Sequence, residues 1–197
     1  MSLLDISPVV PVVVIDDRAT AVPIAEALLS GGVGIIEVTL RTQAALGAIE
    51  RIAAEVPGIV VGAGTVTSPE LAAAAARAGA RFLVTPGSTD RVLDAAAATG
   101  LPTLPGAATV SEAMRLAERG FTELKFFPAE AAGGVPYLKS IAGPLPDLRF
   151  CPTGGISAAT APTYLALPNV GCVGGSWLTA CGVAEVEALA KEAAALR

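Results

Sequence analysis

Val60-Val-Gly-Ala-Gly-Thr65, Ser68-Pro-Glu70, Leu71 to Ala76 closed by Gly79, and Phe82-Leu-Val-Thr-Pro86 follow one another within residues 60–86. Short β-branched apolar runs bounded by glycine and proline read as buried strands. Between the two runs, Ser68 offers an N-cap oxygen, Pro69 suits the first helical turn, and Gly79 stands where a helix can stop in a left-handed turn. The stretch therefore reads as strand, helix, strand. Outward from it the same alternation recurs along the whole chain.

The predicted strands are Val9 to Ile15, Ile35 to Leu40, Val60 to Thr65, Phe82 to Pro86, Thr103 to Ala107, Glu123 to Pro128, Arg149 to Thr153 and Gly171 to Gly175. Predicted helices begin near Ala19, Thr42, Ser68, Thr89, Thr109, Val135, Ala159 and Val183, and Thr109-Val-Ser-Glu112 has capping-box spacing. Strands that alternate with helices pair in parallel through right-handed crossovers. Eight such units in 197 residues leave no room for insertions. The predicted fold is α/β: a minimal (β/α)8 TIM barrel, with residues 1–197 as a single domain. A doubly wound sheet fits less well, because no Gly-x-Gly-x-x-Gly follows the first strand.

Composition removes several functions. A net charge of −5 with 13 scattered basic residues argues against nucleic acid as a partner. There is no histidine, which excludes histidine bases, Ser-His triads and imidazole-held metals. Cys151, Cys172 and Cys181 lack Cys-x-x-Cys spacing and suit a reduced, cytoplasmic protein. Phe150 to Ala184 carries no charge, but Pro152, Gly154, Gly155, Pro168, Gly171, Gly174 and Gly175 cut it into strand-sized pieces, so no membrane span is expected. No charged n-region opens the chain, and Val9 to Ile15 is too short for a signal anchor.

Lys125 lies in Glu-Leu-Lys-Phe-Phe-Pro-Ala-Glu, an apolar strand-like run. Taking an ammonium out of water disfavours its charged form, and a free amine can attack a carbonyl to form a Schiff base. The other two lysines, Lys139 and Lys191, fall in helical segments. The alternative is a lysine that snorkels its head to solvent from an edge strand. In Glu37-Val-Thr-Leu-Arg41 the alternation of faces puts Glu37, Thr39 and Arg41 together, toward the mouth of the barrel, where they are either a functional acid and base or an internal ion pair. Thr65 and Pro86 end strands three and four, and Phe127 shares the face of Lys125. Thr153-Gly154-Gly155 and Gly174-Gly175-Ser176 end the last two strands, where backbone amides in this fold commonly cradle phosphate.

Glu-Val-Thr-Leu-Arg-Thr at 37–42, Val-Gly-Ala-Gly-Thr-Val at 61–66, Lys-Phe-Phe-Pro-Ala-Glu at 125–130, Arg-Phe-Cys-Pro-Thr-Gly-Gly-Ile-Ser at 149–157 and Gly-Gly-Ser-Trp at 174–177 resemble the class I aldolases of the 2-keto-3-deoxy-6-phosphogluconate and 4-hydroxy-2-oxoglutarate family. The resemblance runs nearly end to end. It implies a lyase of the Entner-Doudoroff pathway that yields pyruvate and glyceraldehyde 3-phosphate, with side activity on 4-hydroxy-2-oxoglutarate. By the same resemblance Lys125 is the Schiff-base lysine and Glu37 the general acid/base. Arg41 and Thr65 hold the pyruvate carboxylate, Pro86 and Phe127 shape the pocket, and Thr153 meets the substrate hydroxyls. Gly154, Gly155, Gly174, Gly175 and Ser176 bind phosphate. The family implies no metal, no cofactor, and a homotrimer. Thr85-Pro-Gly-Ser-Thr89 departs from the Ser-Pro-Gly-Leu-Thr frequent among relatives, a change at the rim.

Three other readings remain. An aldolase for the galactonate-configured sugar acid is one, against which Thr153 after Cys-Pro favours the gluconate type. A phosphate-binding barrel isomerase or epimerase would form no imine. In a non-catalytic sugar-phosphate-binding module, Lys125 would serve only as a point charge.

Overall fold

The computed structural model describes residues 2–196, in which the apolar runs form strands β1 (Val9–Val13), β2 (Ile35–Thr39), β3 (Val60–Gly64), β4 (Leu83–Val84), β5 (Thr103–Leu104), β6 (Gly106–Ala107), β7 (Glu123–Phe126), β8 (Arg149–Pro152) and β9 (Val173–Gly175). Between and after them lie helices α1 (Ala21–Ser30), α2 (Ala45–Glu55), α3 (Pro69–Arg77), α4 (Asp90–Ala98), α5 (Val110–Glu118), α6 (Gly134–Ala142), α7 (Ala161–Leu165) and α8 (Val183–Ala194).

The strand pairs are parallel, in the orders β5-β4-β3-β2-β1-β9 and β6-β7-β8. The result is an α/β fold with a curled parallel sheet. The two ladders meet twice. Pro105 alone separates β5 from β6, and bridges Phe150–Val170 and Thr153–Gly174 join β8 to the β9 segment.

The predicted fifth strand, Thr103 to Ala107, is thus two pieces. Pro105 has no N–H to give to a ladder, although its carbonyl still accepts the Lys125 amide at 2.9 Å. The second helix begins at Ala45 rather than near Thr42, because the Thr42 hydroxyl donates to the Ile15 carbonyl at 2.5 Å and ties this loop to the end of β1. The seventh helix begins at Ala161 rather than near Ala159 and ends at Leu165.

The core is continuous. Ile35, Ile36 and Val38 of β2 and Val61 and Ala63 of β3 are fully buried, and α3 covers the sheet with Ala72 and Ala75. Small residues let elements come close: a Cβ on Gly31 at the end of α1 would overlap the Ala190 side chain of α8. The caps form as read, with Ser68 accepting from the Leu71 amide and Thr109 and Glu112 making a reciprocal capping box. Among the described residues no helix is long and apolar enough to cross a membrane.

Candidate active site

Lys125 on β7 and Glu37 on β2 are 5% and 2% exposed, and Lys125 Nζ donates to Glu37 Oε1 at 3.2 Å. The aromatic ring of Phe127 lies 5.4 Å from the same nitrogen, close enough to stabilise an ammonium. The sequence pattern leads one to expect an amine enclosed by apolar surface. Instead it has a carboxylate at hydrogen-bond distance, and so a proton acceptor beside the nucleophile. The alternative pairing of Glu37 with Arg41 does not form: Arg41 is exposed and turns to Thr65.

The carboxylate has its place because a neighbour lacks a side chain. A Cβ on Gly64 would fall on the Glu37 carboxyl group, and one on Gly62 would fall on the Phe82 ring. Thr39 donates to the Val13 carbonyl at 3.1 Å, which locks the end of β2 against β1.

Lys125 opens onto a cavity of 230 Å³, while Glu37 lies behind it and does not line the cavity itself. Val12 and Val14 form one wall, and Lys125 and Phe127 reach it from β7. Arg41, Thr153 and the segments 154–156 and 174–176 complete it. Thr65 stands just outside, where its hydroxyl accepts from Arg41 Nε at 3.0 Å. It is the one non-glycine residue with positive φ (58°) among those described. For a β-branched residue this is strained, by about 1–3 kcal/mol, and such strain is found where geometry serves a site.

Pro86 does not line the cavity. Its backbone packs where a Cβ on Gly106 would sit, and Gly106 pairs in register with Lys125, so its route to the site is indirect. Val12, Val14 and Ile156 are lining residues that the sequence reading did not single out, nor did it single out Gly64. Val12 and Val14, as apolar residues in an apolar run, carry no distinguishing signal, and Ile156 is a lone apolar residue after the glycine pair. A larger cavity, 310 Å³ between α4 and α5, contains Arg115 and Arg119, but Asp90 and Asp94 already pair with these.

The two glycine turns are built from backbone. Ala129 N–H donates to the Thr153 carbonyl at 2.8 Å and Glu130 N–H to the Gly154 carbonyl at 3.1 Å. In a planar trans peptide the N–H points opposite to the preceding C=O. The amides of Gly154 and Gly155 therefore face away from the segment that follows β7, and Gly174 of β9 bridges Thr153. The glycines also make room for protein. A Cβ on Gly174 would meet Thr153, and one on Gly175 would meet the Trp177 ring. Such an arrangement can bind an anion through amides at one end while an amine and a carboxylate do covalent and proton chemistry at the other.

The family model described as KDPG and KHG aldolase matches residues 1–194. The chain belongs to the KDPG and KHG aldolase family. It is 54% identical over 177 residues to the KHG/KDPG aldolase of Escherichia coli strain K12, covering 90% of this chain and 83% of that one. The crystal structure of the 2-keto-3-deoxy-6-phosphogluconate aldolase of Zymomonas mobilis ZM4 with 3-phosphoglycerate superposes with a TM-score of 0.94 at 49% identity, covering 98% and 94% of the two chains. The Legionella pneumophila KDPG aldolase, with pyruvate captured as a covalent carbinolamine, gives 0.94 at 43% identity, covering 97% and 96%.

Proposed function

We propose that this chain is a class I aldolase that cleaves 2-keto-3-deoxy-6-phosphogluconate to pyruvate and glyceraldehyde 3-phosphate, with a side activity on 4-hydroxy-2-oxoglutarate. The observation that carries the reading is the buried Lys125–Glu37 pair, 3.2 Å apart, whose lysine lines a cavity rimmed by glycine turns.

In this reading a proton passes from Lys125 Nζ to Glu37, and the freed amine attacks the C2 carbonyl. Glu37, now neutral, returns the proton to the carbinolamine hydroxyl, which leaves as water. The protonated imine at C2 draws electrons from the C3–C4 bond as the C4 hydroxyl gives its proton, through a water, to Glu37. Glyceraldehyde 3-phosphate departs and an enamine remains. Protonation at C3 and hydrolysis of the imine release pyruvate and restore the lysine. These steps use only the amine, the carboxylate and water.

Arg41, with Thr65 at its back, takes the pyruvate carboxylate in this proposal. Phe127 encloses the reacting carbon, Pro86 supports it through Gly106, and Thr153 meets the sugar hydroxyls. Gly154, Gly155, Gly174, Gly175 and Ser176 receive the phosphate. We read residues 1–197 as one domain and the curled sheet as a closed (β/α)8 barrel, with β5, Pro105 and β6 as one interrupted strand. A homotrimer in the cytoplasm is the assembly and location we expect by family likeness.

Borohydride reduction in the presence of pyruvate tests the reading. A single adduct, found by mass spectrometry on Lys125, is the expected result. An adduct on Lys139 or Lys191 would overturn the assignment of the Schiff base to Lys125, and no adduct at all would favour a binding module or an isomerase.

A further inference from the structure

Tyr164 of α7 is 1% exposed, and its hydroxyl donates to Glu130 Oε1 at 2.5 Å. Nothing in the mechanism above uses either residue, yet Glu130 adjoins the Gly154–Gly155 turn and Tyr164 holds Glu130. Glu130 N–H donates to the Gly154 carbonyl at 3.1 Å, so its main chain fixes the peptide whose N–H belongs to Gly155. Its side chain covers the same residue: a Cβ on Gly155, where φ is +82°, would lie 2.6 Å from Glu130 Cγ and 2.8 Å from its Cβ.

Tyr164 is itself closely fitted. A Cβ on Gly134, where φ is +55°, would lie 2.9 Å from its hydroxyl, so the chain opens at that point to admit the phenol. Burial, reinforced by Glu130, holds the phenol well above its ordinary titration range, so it remains a donor well into alkaline solution.

We propose that Glu130 and Tyr164 are positioning residues for the phosphate end of the site: the phenol pins the Glu130 side chain over Gly155, and this holds the amides of the turn in their anion-binding orientation. The proposal rests on the phosphate reading of the glycine turns. A carboxylate beside a phosphate site would ordinarily repel the ligand. Here its free end is turned to an internal donor, and its stem acts as a clamp.

Tyr164→Phe removes only the hydroxyl. It should raise KM for 2-keto-3-deoxy-6-phosphogluconate about five- to tenfold, the loss of one hydrogen bond's ordering effect. Both kcat and the KM for 4-hydroxy-2-oxoglutarate, which has no phosphate, should stay within about twofold. Glu130→Gln keeps the shape and an acceptor and should retain the wild-type KM, whereas Glu130→Ala should repeat or exceed the effect of Tyr164→Phe. Thermal unfolding checks that each variant is folded, and Glu130→Ala stands in if Tyr164→Phe is not.

Equal changes on both substrates, no change on either, or a Glu130→Gln as impaired as Glu130→Ala would overturn the clamp. Gly154→Val separates this outcome from a failure of the phosphate reading itself. If Gly154→Val also leaves the two substrates equally affected, the turns do not hold phosphate. If it discriminates between them while Tyr164→Phe does not, the clamp alone is wrong.

Discussion

The floor and the rim of the cavity are built in opposite ways. At the floor, two charged side chains face each other out of water, each placed by the interior of a strand. At the rim, two glycine turns line the cavity with main chain, and the side chains that matter are absent ones. Floor residues should therefore fail on deletion of a functional group, and rim residues on addition of one. Covalent chemistry needs specific atoms, whereas anion binding needs only oriented N–H groups.

Deleting the amine is the most severe test of the floor. Lys125→Ala should abolish turnover, since no other group can form the imine, and should also destabilise the protein by about 3–5 kcal/mol by leaving the Glu37 carboxylate buried without its partner. Chemical denaturation measures the second effect. Lys125→Met combined with Glu37→Leu should recover most of that stability while remaining inactive, because a buried ion pair can be replaced by apolar residues at little cost. A Lys125→Ala enzyme of wild-type stability would mean that the pair is better solvated than its burial implies.

Glu37→Gln keeps the shape of the floor and removes its proton acceptor. Turnover should fall by about 10²- to 10⁴-fold, the usual contribution of a positioned acid/base. Exchange of pyruvate methyl protons with deuterium should slow in parallel, as it reports protonation at C3. Exchange at the wild-type rate would make the pair structural only. Gly64→Ala places the sharper question, because it adds bulk against the pair while leaving both functional groups in the chain. A Cβ there displaces the Glu37 carboxylate, and a misplacement of about 1 Å can cost about 10²-fold in kcat. KM for the phosphorylated substrate should change little. A loss confined to KM would break the distinction between floor and rim.

The same distinction governs what the sequence discloses. Lys125 and Glu37 stand out because charge inside an apolar strand is rare, and strand alternation says which way it points. Caps at Ser68 and Thr109 are legible because their oxygens act within three residues. What depends on a neighbour distant in the chain is not. That Gly64 makes room for Glu37 follows from the pairing of β2 with β3 and the path of one side chain. Tyr164 reaches Glu130 across 34 positions, and Val12 and Val14 differ from core valines only by their place at a strand end. The break in the fifth strand could be read from Pro105, since a residue without an N–H cannot carry a ladder through.

A cap whose residues line neither region sets the baseline against which the other losses are judged. Glu112 accepts from the amides of Ala108 at 2.8 Å and Thr109 at 2.9 Å, and these bonds, that of Ala108 foremost, hold its carboxyl below the ordinary carboxylate range. A carboxyl whose folded pKa is lowered contributes stability above its unfolded value, about 4.3 for glutamate, and loses it as pH falls through the folded value. Glu112→Gln, which keeps an acceptor but no charge, should therefore be less stable than the parent at pH 7 and approach it below about pH 4. Thr109→Ala removes the other half of the box and should cost about 1 kcal/mol at pH 7, most of it persisting at low pH, since the hydroxyl itself does not titrate there. Thermal unfolding at the two pH values separates these patterns. Neither variant should change kcat or KM at 25 °C, and a change in either would mean that α5 transmits its position to β6 and β7, the strands that seat Lys125.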